Sequence, residues 1–284
     1  MTDAIRTPDV LLDGLPGFAW EPSFRTWDGL RLAHVDVGEG KPVLMLHGEP
    51  TWSYLWRKVA PPVLEAGHRV ILPDLPGFGR SDKPIDEDWY TYDRHTAAIK
   101  ALVEDLDLRD ATFVVHDWGG PIGLRVAVEL AERVSKLVLM DTGLFTGSVP
   151  MSDAWHRFAS FVERAEELPV SLLVRRGCFT DPGDEVAEAY DAPFVNEAAK
   201  AGVRAFPPLV LKLRARSTLE ALRDDTRQML LLWGAEDRPL PPEQGEAFAA
   251  QLGRPAPRRI ADAGHFLQED QGERIGALIA DFLS

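Results

Sequence analysis

The sequence predicts an α/β protein, a mostly parallel sheet covered by helices. Short apolar runs alternate with longer stretches patterned at helical spacing, which is the rhythm of strand–helix–strand units. The runs are continuously apolar, as expected of strands buried on both faces. The chain has 284 residues, 45% of them hydrophobic, enough for one sizeable core and a smaller second unit.

Taken in order, Asp28-Gly29 separates Phe24-Arg25-Thr26-Trp27 from Leu30 to Val37 and marks a tight hairpin. Strands are predicted at Val43 to Leu46, Arg69 to Leu72, Thr112 to Val115, Lys136 to Met140 and Met229 to Trp233, with a short one ahead of Ala261. Ala98, Leu102, Val103 and Leu106 share one helical face, as do Ile275, Leu278, Ile279 and Phe282. Both stripes read as core and carry no function. Phe145 to Glu220, about seventy-five residues, interrupts the alternation and is far longer than an ordinary connection. It shows helical patterns at Trp155 to Glu167, Glu185 to Tyr190 and Val195 to Ala201. We read it as a helical cap inserted over the open end of the sheet, dividing the chain into 1–144, 145–220 and 221–284.

The balance of charge narrows the function. A net charge of −14 repels phosphate backbones and anionic lipid, so neither nucleic acid nor a membrane surface is an expected partner. Cys178 is the single cysteine, which excludes an intramolecular disulfide and a cysteine-rich metal site. No apolar run approaches the roughly 20 residues that cross a bilayer, and none resembles a signal peptide before Trp20. A cytoplasmic location is therefore expected. Oligomeric state, monomer or homo-oligomer, is not encoded in these patterns.

The most informative segment is Phe113-Val114-Val115-His116-Asp117-Trp118-Gly119-Gly120. An apolar run ends, one polar residue follows, and glycines precede a helical stretch from Ile122 to Leu130. This is a nucleophile elbow with Asp where the common form has Ser. A carboxylate is already ionised at neutral pH, so Asp117 can attack an sp³ carbon directly; the resulting ester must then be hydrolysed with the help of a base. The plainer alternative is an Asp that caps the next helix. His265, in Ala261-Asp262-Ala263-Gly264-His265-Phe266, is the candidate base. Asp237, in Gly234-Ala235-Glu236-Asp237-Arg238, is the candidate orienting acid, with Asp141 and the adjacent Glu236 as rivals. The chain order nucleophile, acid, histidine is the α/β-hydrolase order.

The loop Leu46-His47-Gly48-Glu49-Pro50-Thr51 follows a strand where that fold supplies an oxyanion-hole amide, so the Glu49 and Trp118 amides form the expected pair. The Trp118 indole N–H is a donor that stays protonated and suits a departing halide; the competing reading is an apolar residue that packs the elbow.

Together these residues resemble the haloalkane dehalogenases, over nearly the whole chain. The resemblance rests on His47 to Lys58, on Asp74 with Gly77-Phe78-Gly79-Arg80-Ser81-Asp82-Lys83-Pro84, on Asp117-Trp118-Gly119-Gly120, and on Ala261 to Phe266. Ala189-Tyr190-Asp191-Ala192-Pro193-Phe194 and Ala201-Gly202-Val203-Arg204-Ala205-Phe206-Pro207 are similar to cap helices of the first subfamily, which Glu49 and Asp237 also favour. The resemblance implies an α/β-hydrolase fold with an eight-stranded sheet and a helical cap. It implies hydrolysis of haloalkanes to alcohol, halide and proton, with a small apolar halogenated substrate, halide as product, and no metal or organic cofactor. It also implies a second halide donor, a cap tryptophan. Trp155 is the only one available, although an ungapped register puts Phe158 at the family position. The substrate pocket is expected against Phe158, Phe206, Pro207 and Val210.

Two related chemistries fit less well. Epoxide opening needs acids on the cap, usually two tyrosines, and only Tyr190 lies there. A fluoroacetate-type enzyme would carry arginines near the elbow, where Arg125 is the nearest. A catalytically silent binder of a small apolar ligand is the rival from another class.

Overall fold

The computed structural model describes residues 2–213 and 215–284. Eight strands form one sheet: β1 (Ser23–Trp27), β2 (Leu30–Val37), β3 (Pro42–Leu46), β4 (Arg69–Pro73), β5 (Ala111–His116), β6 (Val134–Met140), β7 (Gln228–Gly234) and β8 (Arg258–Ile260). They lie side by side in the order β1-β2-β4-β3-β5-β6-β7-β8. Only β2 runs against the rest, pairing antiparallel with both β1 and β4. Trp27 pairs with Leu30 across the predicted two-residue turn, with Asp28 and Gly29 at φ 49° and 79°. Positive φ at both turn residues matches the twist of the strands they join.

Among the described residues ten α-helices accompany this sheet. Five flank the sheet: α1 (Ala60–Glu65), α2 (Tyr92–Asp105), α3 (Gly119–Glu129), α9 (Pro242–Gln251) and α10 (Leu267–Leu283). Five lie between β6 and β7: α4 (Asp153–Arg164), α5 (Val170–Gly177), α6 (Asp184–Asp191), α7 (Ala201–Lys212) and α8 (Arg216–Arg223). Every residue of β3 and β5 is buried, including Thr112 and His116 of β5. The predicted stripes face the core, with Ala98, Leu102, Val103, Ile275 and Ile279 at most 2% exposed. No described helix is long and apolar enough to cross a membrane.

The helices between β6 and β7 depart furthest from expectation. The pattern at Val195 to Ala201 resolves into a short 3-10 turn, Glu197–Lys200, capped by the Asn196 side chain, and the helix proper starts where the prediction stopped. The segment similar to a family cap helix, Ala201 to Pro207, is helical and runs on through Pro208 to Lys212, although neither proline supplies an amide hydrogen. The expected boundary at 220 falls within α8, which packs on α3 beside the sheet.

Because the strands around β5 are parallel, their carboxyl ends share one edge. The loops after β3, β5, β6, β7 and β8 therefore converge, and they carry Glu49, Asp117, Asp141, Asp237 and His265 respectively. On one side the α6 helix is tied to this edge. Arg57 and Tyr190 both donate to the buried Glu269 carboxylate on α10, and the Trp52 indole donates to Ala189 O at 3.2 Å.

Candidate active site

Asp117 occupies the turn between β5 and α3 at φ 48°, a left-handed conformation that costs a residue with a Cβ on the order of 1–3 kcal/mol. The neighbourhood holds it there. Its N–H donates to Asp141 O at 3.3 Å, and its carbonyl accepts from the Gly120 amide at 2.9 Å and the Thr142 hydroxyl at 2.6 Å. A Cβ on Gly119 would lie 2.3 Å from Leu46 O, so the helix can approach β3 this closely only with glycine.

The side chain faces the loop after β3. The Glu49 amide donates to Asp117 Oδ1 at 2.7 Å, and a Cβ on Gly48 would lie 2.2 Å from that oxygen. His47 fixes the loop: its Nε2 accepts from the Leu75 amide at 3.0 Å, which leaves the proton on Nδ1 to donate to Gly48 O at 2.9 Å. Burial raises the Asp117 pKa, but the His265 hydrogen bond and charge, with help from His116 and the Trp118 amide, outweigh it and hold the carboxyl below the ordinary carboxylate range.

His265 stands between two carboxylates. Its Nδ1 is 2.8 Å from Asp237 Oδ2 and its Nε2 is 3.5 Å from Asp117 Oδ2. Burial works against the imidazolium, yet Asp237 and Asp117 together push the pKa well above the ordinary histidine value. His116 donates from Nε2 to His265 O at 2.8 Å; burial depresses its own pKa to about 3, so it positions the histidine loop as a neutral ring.

Of the three acids considered for orienting the histidine, Asp237 makes the contact. Its other oxygen accepts from the Leu240 amide at 2.8 Å, so the carboxylate is fixed at both ends. Glu236 points to solvent. Asp141 is fully buried; Oδ1 accepts from the Gly234 amide at 2.9 Å and Oδ2 has no partner among the described residues. Burial first, then the nearby charge of Asp237, push its pKa well above the ordinary carboxylate range.

Above this edge lies a cavity of about 320 Å³, with Glu49, Asp117, Trp118 and His265 as its floor. Phe158, Phe161, Leu173 and Val210 form apolar walls from α4, α5 and α7. Trp155 lines it too, one turn before Phe158, and the Ser152 hydroxyl caps α4 by accepting the Trp155 amide at 3.0 Å. Two expected wall residues lie elsewhere. Phe206 is stacked behind Trp118, ring centroids 4.7 Å apart, and is itself backed by His95. Pro207 borders a separate outer cleft with His156 and Leu211. Val210, one turn further along α7, lines the cavity itself. None of the four tyrosines lines the cavity; Tyr190 is committed to Glu269. Arg125 is paired with Asp93 and Glu129 away from it.

Three features were missed from sequence. Glu49 lines the cavity as well as supplying its amide, and burial and then the Asp117 charge push its carboxyl pKa well up. Leu240 and Pro239, from the loop after Asp237, close one wall. Arg157, Arg176 and Arg238 line the outer end. The paired-strand alternation gives no signal for any of these.

A sheet of this order with an acid–histidine–acid set on its carboxyl edge defines the α/β-hydrolase class, and residues 41–271 match the alpha/beta hydrolase fold family. Within that class the chain belongs to the haloalkane dehalogenases. It is 35% identical to the haloalkane dehalogenase of Psychrobacter cryohalolentis, over 98% of this chain and 97% of that one. It is 36% identical to that of Mycobacterium marinum, over 98% of both chains. Among solved structures, a tetrameric haloalkane dehalogenase from Paraglaciecola agarilytica superposes with a TM-score of 0.90 at 34% identity, covering 97% of each chain.

Proposed function

We propose that this enzyme hydrolyses carbon–halogen bonds of haloalkanes through an alkyl ester on Asp117, by the first-subfamily arrangement of Asp117, His265 and Asp237. The carrying observation is an ionised carboxylate at the floor of an apolar cavity with one oxygen already engaged. Oδ1 is committed to the Glu49 amide, which leaves Oδ2 to attack carbon in line while the carbon–halogen bond breaks. Trp118 and Trp155 donate to the departing halide, whose charge grows in a mostly apolar space.

Esterification then changes the histidine. Asp117 loses its charge, and one of the two groups holding the His265 pKa up disappears. His265 releases its proton more readily and becomes competent to take one from water. Water attacks the ester carbonyl, and Oδ1 carries the oxyanion against the Glu49 and Trp118 amides. Collapse returns the Asp117 carboxylate and releases alcohol, with one proton leaving through His265. Asp237 keeps the ring oriented throughout.

In this reading 145–220 is the cap and 1–144 with 221–284 the hydrolase core, the chain returning to the core through α8. Phe158 and Val210 act as walls, and Phe206 and Pro207 shape the pocket from behind. The test is halide release from 1,2-dibromoethane and 1-bromobutane by the native enzyme and by Asp117→Ala. Release should fall by about 10⁴-fold or more in the variant; comparable rates would overturn the assignment.

A further inference from the structure

The cavity has a second chemical character at its outer end. Arg157 on α4, Arg176 at the end of α5 and Arg238 after β7 all line it, and all three are exposed, whereas the floor residues are buried or nearly so. Arginines nearby are occupied: Arg175 pairs with Asp181 and Asp184, and Arg204 with Glu197. Arg157, Arg176 and Arg238 have no acidic partner among the described residues, although the chain carries 45 acidic against 31 basic residues. The acids that line the cavity, Glu49 and Asp117, are at the opposite end, and the exposed Glu236 is not among the lining residues. From the rim an open groove continues along α4, past Arg157 and Phe161 to Arg164, which also lacks an acidic partner among the described residues.

A space with a nucleophile at the floor, phenyl and leucyl walls, and guanidinium groups at the rim is complementary to a bipolar molecule: a reactive carbon at one end, an apolar chain, and an anion at the other. Guanidinium forks match carboxylate geometry. Each exposed pair is worth little alone, but several cations around one mouth focus the field on a single entering anion.

We propose that the substrate class includes ω-halocarboxylates of medium chain length, with the carboxylate held at Arg157, Arg176 and Arg238 while the carbon–halogen bond reaches Asp117. This rests on the reading of Asp117 as nucleophile. The reaction is the same displacement and hydrolysis, giving the ω-hydroxycarboxylate, halide and a proton.

The test compares kcat/KM for 6-bromohexanoate and its uncharged near-isostere 6-bromohexanamide, in the native enzyme and in the triple variant R157Q/R176Q/R238Q. The native enzyme should prefer the acid about tenfold at low ionic strength, and the preference should shrink toward parity as sodium sulfate is added. The triple variant, checked for an unchanged unfolding temperature, should show parity at low salt. A native enzyme that prefers the amide, or an acid preference that survives in the triple variant, would overturn the inference. So would an equal slowing of both substrates, which would assign the arginines to halide departure. If neither compound nor 1-bromobutane releases halide, the dehalogenase reading itself fails and this inference falls with it.

Discussion

The floor and the roof of the cavity are built on different physical terms. On the floor, Asp117 is fixed through its own backbone by Asp141, Gly120 and Thr142, and its carboxylate by the Glu49 amide. His265 is fixed by Asp237 and, through its carbonyl, by His116. Each group has two or more short polar contacts. The roof offers its side chains to the cavity from α4, α5 and α7 mainly through apolar packing, and α4 is held at its start by Ser152, whose hydroxyl donates to Pro239 O at 2.7 Å. The difference teaches that charge has to be placed within a fraction of an ångström, whereas shape tolerates adjustment. Chemistry belongs to the floor and selection of substrate to the roof.

Perturbing the floor should therefore give the larger effects. His265→Gln should arrest the reaction after ester formation, with turnover down by about 10³-fold. A halide burst of one per active site and a matching mass increase on Asp117 are the expected signs; steady turnover at the native rate would remove His265 from the scheme. Asp237→Asn should cost about 10²-fold or more through loss of ring orientation. Asp141→Asn, at a carboxyl that makes no contact with the His265 ring, should cost less than about threefold, and the reverse ranking would make Asp141 the orienting acid.

The two tryptophans proposed as halide donors join floor and roof, so they sharpen the comparison. Trp118→Phe should lower kcat/KM for 1-bromobutane by about 10²-fold, and Trp155→Phe by about tenfold, each removing one N–H from the halide. Equal effects would mean that the roof is as firmly placed as the floor, and no effect at Trp155 would leave it as a wall. The smallest effect concerns stability. The folded-state pKa of His265 lies above the ordinary 6.5, so its charge stabilises the fold fully below that pH, and the contribution is lost as pH rises through the folded value. The difference in unfolding free energy between native protein and His265→Gln should accordingly decline above about pH 6.5. A difference that grew with pH would contradict the sign.

Legibility followed the same division. Strands β3 to β7 were readable because burial on both faces writes an unbroken apolar run, and the site residues were readable because they stand at the ends of those runs. Asp117 announced itself through Gly119 and Gly120, which close packing against β3 and Thr142 demands. The roof was less readable. Val210 lines the cavity while Pro207, one turn earlier on the same helix, borders the outer cleft, a difference that spacing alone does not encode. Arg157, Arg176 and Arg238 look like ordinary solvated positions, since nothing local distinguishes a surface arginine from one that borders a cavity. The choice between Asp237 and Asp141 required the third dimension: both follow strands at the same edge, and only the Leu240 amide and the ring of His265 set them apart.

The Arg57–Glu269–Tyr190 cluster has a consequence for how such an enzyme can diversify. Glu269 lies four residues beyond His265 and joins α6 to the helix that follows the histidine loop. A change in α6 therefore reaches the helix that follows His265, whereas the start of α4 is tied through Ser152 to Arg238 and Pro239, next to Asp237. Lineages exploring new substrates, and laboratories doing the same, meet the catalytic loops from either helix, through Glu269 from α6 and through Pro239 from α4.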